Sequence, residues 1–187
     1  MAKVYEFLAN GFEEIEGLAP VDILRRGGVD IKTVSITGSE YVETSHGVMV
    51  KADLVFEKAD LSDAEMLMLP GGMPGSTNLC EHEGVRKILV EQYNKGKRIG
   101  AICAAPMVLG SIGLLAGKKA TCSPGFQKYL TGAEYTGDLF TVDGRIITGE
   151  GPAATLPYAY KILSFFIPEV DVETMKVKMQ FAHLMEK

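Results

Sequence analysis

Short apolar runs ended by glycine or proline alternate along this chain with stretches in which apolar residues recur every three or four positions. Residues 3–9 (KVYEFLA), 29–36 (VDIKTVSI), 66–69 (MLML), 97–102 and 118–122 read as strands, several rich in β-formers. Between them the spacing predicts helices. One runs from about residue 13 to 26, with Ile15, Leu18, Ala19 and Leu24 as its apolar face and Gly27-Gly28 as its stop. Another spans 84–94, with Val85, Ile88, Leu89, Gln92 and Tyr93 in phase and Gly96 beyond it. A third opens at Gly151-Pro152 and carries Leu156, Ala159, Tyr160, Leu163 and Ile167.

Residues 41–49 read as a small hairpin around Ser45-His46-Gly47, and residues 135–148 as an antiparallel pair turned at Asp143-Gly144. Residues 126–130 form a helical turn. The tail, 173–187, fits two periods: Met175, Val177, Met179 and Phe181 alternate like a strand, while Val172, Met175 and Met179 suit a helix. Strands alternating with helices imply βαβ units and a mostly parallel sheet covered on both faces. No repeat, linker or low-complexity tract divides the chain, so a single domain over 1–187 is expected. Sites in such folds gather beyond the C-terminal strand ends. Three corners qualify: the loop before Glu16, the Pro70–Gly75 loop, and Cys103.

The third corner, KRIGAICAAPMVLG, is the most informative. A buried strand runs into Cys103, and a helix follows at once with Pro106 in its first turn, where a missing N–H is harmless. A thiol at a helix N-terminus has its pKa lowered, and the thiolate is the nucleophile. A structural core cysteine is the other reading of this segment.

Composition narrows the function classes. Hydrophobic residues make up 47% and charged residues 23%, with a net charge of -5 and both signs interleaved. That leaves no basic footprint for nucleic acid and no polybasic membrane patch. No apolar run approaches a membrane span. The N-terminal MAKVYEFLANGFEE reads as a strand and acidic residues rather than an export signal. Three cysteines (Cys80, Cys103, Cys122) lack metal-like spacing, so a cytoplasmic protein with reduced thiols is expected.

Gly71 and Gly72 offer amides unobstructed by side chains; with the N–H of Ala104 they could hold a carbonyl oxygen or oxyanion. A tight turn is the plainer use of such glycines. No phosphate-loop pattern follows them. Glu13 and Glu14 read as a solvated helix start, whereas Glu16 is expected to point inward. Two anions side by side are costly, so the consistent arrangement is a protonated Glu16 donating to the Cys103 sulfur, the two titrating together. His46, His82 and His183 read as surface histidines, and no residue set suggests a metal site.

Glu16 after the first strand, Leu69-Pro70-Gly71-Gly72 and Ala101-Ile102-Cys103-Ala104-Ala105-Pro106 together resemble the ThiJ/PfpI superfamily, in particular the branch containing the Parkinsonism-associated protein deglycase. The likeness extends to Gly149-Glu150-Gly151-Pro152, similar to that branch's late Arg-Gly-Pro loop. It implies a flavodoxin-like α/β three-layer sandwich, usually a homodimer, with no cofactor. The family's reactive cysteine falls on Cys103, its protonated glutamate on Glu16, and its oxyanion-type amides on Gly72 and Ala104.

Two positions depart from the family pattern. Peptidase-like relatives carry a histidine after the nucleophile, where this chain has Ala104. The deglycase branch often has a histidine before a proline where this chain has Ser123-Pro124. Ser123 therefore joins Gly71, Gly72 and Ala104 among the oxyanion or substrate-binding candidates.

The resemblance implies deglycase-like or glyoxalase-like chemistry on small reactive carbonyls or glycated protein, with Cys103 and Glu16 catalytic. The rival is an oxidative-stress sensor or chaperone in which Cys103 becomes a sulfinic acid. A cysteine peptidase or amidase ranks last, for want of an imidazole base.

Overall fold

The computed structural model describes residues 2–185. Its first half contains β1 (Lys3–Leu8), α1 (Glu14–Arg26), β2 (Asp30–Ser35), the hairpin β3 (Tyr41–Glu43) and β4 (Met49–Lys51), then β5 (Leu54–Val55) and β6 (Ala64–Leu69). Next come α2 (Gly75–Glu81), α3 (Glu83–Asn94), β7 (Arg98–Ile102), α4 (Pro106–Ser111), β8 (Lys119–Ala120) and β9 (Glu134–Tyr135). The chain continues through β10 (Phe140–Asp143), β11 (Ile146–Gly149), α5 (Thr155–Leu163), α6 (Glu169–Lys178) and α7 (Phe181–Met185).

Seven strands form the central sheet in the order β10-β11-β7-β6-β1-β2-β5. Every neighbouring pair is parallel except β10 with β11. One face of the sheet packs Phe7, Leu67, Leu69 and Ile99 against Val85 and Leu89 of α3 and Val108 and Leu109 of α4. The other packs Val4, Ile31, Met66 and Met68 against Ile23 and Leu24 of α1 and Tyr158, Ile162 and Leu163 of α5. The result is the expected three-layer α/β sandwich. From β1 the chain moves to β2 on one side, and later from β6 to β7 on the other. The strand order therefore reverses between β1 and β6, which is where open α/β sheets make their binding crevice.

Several elements differ from the pattern-based reading. In α1 the buried residues are Glu16, Gly17, Pro20, Val21, Ile23 and Leu24, while Ile15 and Leu18 are 51% and 36% exposed. The apolar face thus lies on the other side of the helix start. Helix α2 was not expected, because GSTNLCE is poor in helix formers; Leu79 and Ser76 are buried and hold it in place. Tyr135 leaves the antiparallel pair and joins β9, parallel to β8. Within that stretch β10 and β11 are what pairs antiparallel, from Phe140 opposite Gly149 to Asp143 opposite Ile146. The ambiguous tail is helical as far as it is described; residues 186 and 187 lie outside the described residues. Pro168 precedes α6, Glu169 and Asp171 occupy its first turn, and Lys176 and Lys178 its last. Those charges complement the helix dipole, a helical signal that outweighs the two-residue alternation.

Candidate active site

Cys103 is the first residue beyond β7 and has φ +62, a left-handed conformation that costs a non-glycine residue about 1–3 kcal/mol. Both its backbone groups are tied. Its N–H donates to the Gly149 carbonyl at 2.9 Å, and its carbonyl accepts from Ser123 N–H at 2.9 Å. The Ala105 N–H turns back to Ile102 O at 3.0 Å, closing the elbow. The strained residue is thereby locked between the ends of β7 and β11 and the segment carrying Ser123.

Glu16 approaches from α1. Glu13 caps that helix, its Oε2 accepting from the Glu16 N–H at 2.8 Å. The pattern-based reading left Glu13 in solvent; it is in fact 8% exposed. Glu14 instead reaches His46, with Nδ1 3.0 Å from its carboxylate. Fully buried, Glu16 accepts from Gly71 N–H through Oε2 at 2.9 Å. A Cβ on Gly71 would lie 2.6 Å from Glu16 Oε2 and 2.6 Å from Cys103 Cβ, so those two atoms are no further apart than twice that distance. Gly72, with φ +87, backs onto Glu13 N and Gly11 O. The loops after β1 and β6 are stitched by Glu13 N–H to Gly71 O at 3.0 Å and Gly75 N–H to Gly11 O at 3.1 Å. Glu16, Gly71, Gly72, Cys103 and Ser123 thus meet at the β1–β6 switch point, with Ala104 next in the chain.

Burial pushes the Glu16 carboxyl up to about 7; the Glu13 charge adds to the rise, while Cys103 and the Gly71 N–H oppose it as hydrogen-bond partners. Burial, then the charge of Glu16 and its hydrogen bond, push the Cys103 thiol up to about 12, against the Gly72 N–H and the Ser123 side chain. The direction is opposite to that expected from a helix N-terminus. Helix α4 has only six residues, and desolvation at the elbow outweighs its dipole. With Glu16 ionised the thiol keeps its proton, so a thiolate requires Glu16 to keep its own.

Among the described residues, the N–H groups of Gly72 and Ala104 donate to no backbone carbonyl. A hollow of about 230 Å³ adjoins the elbow through Ser123, with Pro124, Leu139, Glu150 and Pro152 among its walls. No imidazole joins the sulfur. His46 pairs with Glu14, His82 accepts from the Val85 N–H at the head of α3, and His183 is exposed on α7. Among the described residues one cluster of potential metal ligands occurs, Glu13 with Glu14 and His46, and it includes neither Cys103 nor Glu16.

Two contributors were missed from sequence. The Gly149 carbonyl acts through backbone and leaves no residue-type signal. The cap by Glu13 was legible: a polar residue three positions before an acidic one at a helix start is close to the capping-box spacing.

A mostly parallel sheet whose switch point brings a buried carboxyl against a cysteine at a strand-to-helix elbow defines a flavodoxin-like α/β protein. Within that class the chain belongs to the DJ-1/PfpI family, which residues 2–164 match. It is 35% identical over 163 residues to DJ-1 homolog B of Arabidopsis thaliana, covering 86% of this chain and 37% of that one, so it spans under half the length of that relative. Over 153 residues it is 31% identical to a glutathione-independent glyoxalase of Caenorhabditis elegans, covering 81% of each. It is 32% identical to a deglycase of Pyrococcus horikoshii, covering 81% of this chain and 91% of that one. The crystal structure of a mutant DJ-1 superfamily protein of Salmonella typhimurium superposes with a TM-score of 0.92 at 30% identity, over 96% of this chain and 98% of that one.

Proposed function

We propose that this protein is a single-domain, cysteine-dependent catalyst of the glyoxalase or deglycase type, acting on reactive aldehydes or their protein adducts with no cofactor. The observation that carries the reading is the meeting of Glu16 and Cys103 across Gly71. Relatives named glyoxalase and deglycase support it.

In this reading the Cys103 thiolate adds to the aldehyde carbon of a dicarbonyl. As the sulfur–carbon bond forms, the carbonyl π pair moves to oxygen and takes the Glu16 proton. The Gly72 and Ala104 N–H groups stabilise that oxygen. The resulting Glu16 carboxylate then removes the hydrogen from the former aldehyde carbon, and the hydroxyl proton passes to the neighbouring carbonyl oxygen to give an enediolate. Glu16 returns its proton to the neighbouring carbon as the thioester carbonyl forms. Water cleaves the thioester, which releases a hydroxy acid and restores the thiol and the acid. Methylglyoxal consumption tests the reading: it should fall to background in Cys103→Ala and drop sharply in Glu16→Gln. A Cys103→Ala variant as fast as wild type would remove it.

A second reading, oxidation sensing, is favoured by the donors around the sulfur (Gly72 N–H, the Ser123 side chain and Glu16) together with the missing imidazole. Those donors suit a sulfinate. Intact mass after mild peroxide separates the two: selective gain of two oxygens on Cys103 supports sensing. Equal oxidation of partly exposed Cys80 and buried Cys122 counts against it.

A homodimer in the cytoplasm fits either reading. Ile15 and Leu18 on α1 and Val48 and Met49 by the hairpin are exposed apolar side chains suited to a second copy. No helix among the described residues is long and apolar enough to cross a membrane. Sedimentation equilibrium decides the oligomeric state.

A further inference from the structure

Glu6 sits in the middle of β1, with a strand on either side, and is 1% exposed. Its neighbours Tyr5 and Phe7 face the α3–α4 core, while Val4 faces α1 and α5, so alternation puts Glu6 on the α1–α5 side. Thr33 on β2 and Met68 on β6 stand in register with it, and Gly100 on β7 stands beyond Met68. Strand spacing places Glu6 and Gly100 about 10 Å apart on one rung. Gly100 leaves a notch on this rung that the Tyr158 hydroxyl fills from α5; a Cβ at Gly100 would lie 2.6 Å from that oxygen and 2.7 Å from Met66 Cε.

Three oxygens here have no hydrogen-bond partner: Glu6 Oε2, Tyr158 Oη and Glu16 Oε1. Glu6 and Tyr158 are each 1% exposed and Glu16 is fully buried. The groups facing Glu6 are few. From α1 comes Glu16, and from α5 Tyr158. On β2, Thr33 is occupied by Asp53, itself paired with Arg25. From β6 and β7, Met66, Met68, Gly100 and Ile102 on this face bring no titratable group. Burial and the charge of Glu16 hold Glu6 well above the usual carboxyl range, so it is a neutral acid with a proton to donate.

We infer that Glu6 is a positioning residue for Glu16: with the Tyr158 hydroxyl it binds the inner side of the Glu16 carboxyl through bridging internal water, and so fixes the face on which Glu16 carries the proton offered to Cys103. The inference rests on Glu16 being the proton-holding partner of Cys103. Bridging water is the usual partner of buried polar atoms that stand beyond direct reach of one another. An apolar residue at position 6, like Val4 and Leu8 on the same strand, would fill the core without leaving an orphan acid.

Two measurements test it. Infrared difference spectra at pH 8 should show the carbonyl stretch of a protonated carboxylic acid that disappears in Glu6→Gln and shifts in Tyr158→Phe and Glu16→Gln. The pH midpoint of Cys103 alkylation should move by about half a unit or more in Glu6→Leu and Tyr158→Phe. It should stay put in Glu6→Gln, which keeps a neutral donor and acceptor. A packing role alone would change stability and leave that midpoint untouched. Absence of the acid band, a band indifferent to Tyr158 and Glu16, or an unmoved midpoint in Glu6→Leu overturns the inference. An unmoved midpoint in Glu16→Gln sinks the Glu16–Cys103 reading and the role built on it, while the infrared shift still scores the Glu6–Glu16 contact separately.

Discussion

The N–H of Gly71 donates to Glu16 Oε2 at 2.9 Å, and the same residue has no room for a methyl group between Glu16 and Cys103. One glycine therefore sets both the orientation of the acid and its distance from the sulfur. In Gly71→Ala the new Cβ meets Cys103 Cβ, which the tied elbow backbone holds in place. Overpacking of this kind costs about 1–3 kcal/mol. Urea denaturation should register that loss, and Cys103 alkylation should lose its wild-type pH dependence. Wild-type stability and pH profile together would show that the loop yields and that Gly71 does not set the geometry.

Glu16 should also make stability fall with pH. Its carboxyl is raised from the usual 4.5 to about 7 in the folded chain. It therefore binds its proton more tightly when folded, and its contribution is fully present below 4.5 and lost as pH rises through about 7. At 1.36 kcal/mol per unit, the loss is about 3 kcal/mol. Urea unfolding at pH 5, 6, 7 and 8 should show the decline in wild type and a flatter profile in Glu16→Gln. Equal slopes would mean that Glu16 is charged throughout.

The sheet was legible because its strands are apolar runs with abrupt glycine or proline stops, and the loops of the candidate site follow directly from those stops. Burial was harder to read. Ile15 and Leu18 suggested the wrong face for α1, yet Glu16 still points inward, because the helix lies with Val21 and Leu24 against the sheet. The same gap explains the direction of the thiol shift. A helix terminus can be seen in sequence, whereas the desolvation that overrides it depends on Gly71, Ser123 and Gly149 arriving from distant segments. Helix α2 was hidden for a related reason: its stability comes from Leu79 and Ser76 in the core rather than from the propensity of GSTNLCE.

The Ser123 N–H donates to the Cys103 carbonyl at 2.9 Å, and the Ser123 side chain lowers the thiol pKa against the stronger effect of burial. Removing the hydroxyl in Ser123→Ala should raise the midpoint of Cys103 alkylation by about one unit, the worth of a hydrogen bond to a charged group. Alkylation of Cys80 serves as the internal reference and should keep its rate. An unchanged Cys103 midpoint would assign Ser123 to backbone tethering alone.

Glu13 does two things to Glu16 that substitution can separate. Its Oε2 accepts from the Glu16 N–H at 2.8 Å, capping α1, and its charge raises the Glu16 pKa. Glu13→Gln keeps an acceptor and removes the charge, so stability should stay near wild type while the Glu16 midpoint moves down. Glu13→Ala loses both, and the missing cap should cost about 1 kcal/mol. Urea denaturation reads the first effect, and the pH dependence of the Glu16 carboxyl infrared band reads the second. If Glu13→Gln is as unstable as Glu13→Ala, the carboxylate charge, rather than the hydrogen bond, is what holds the helix start over Gly71.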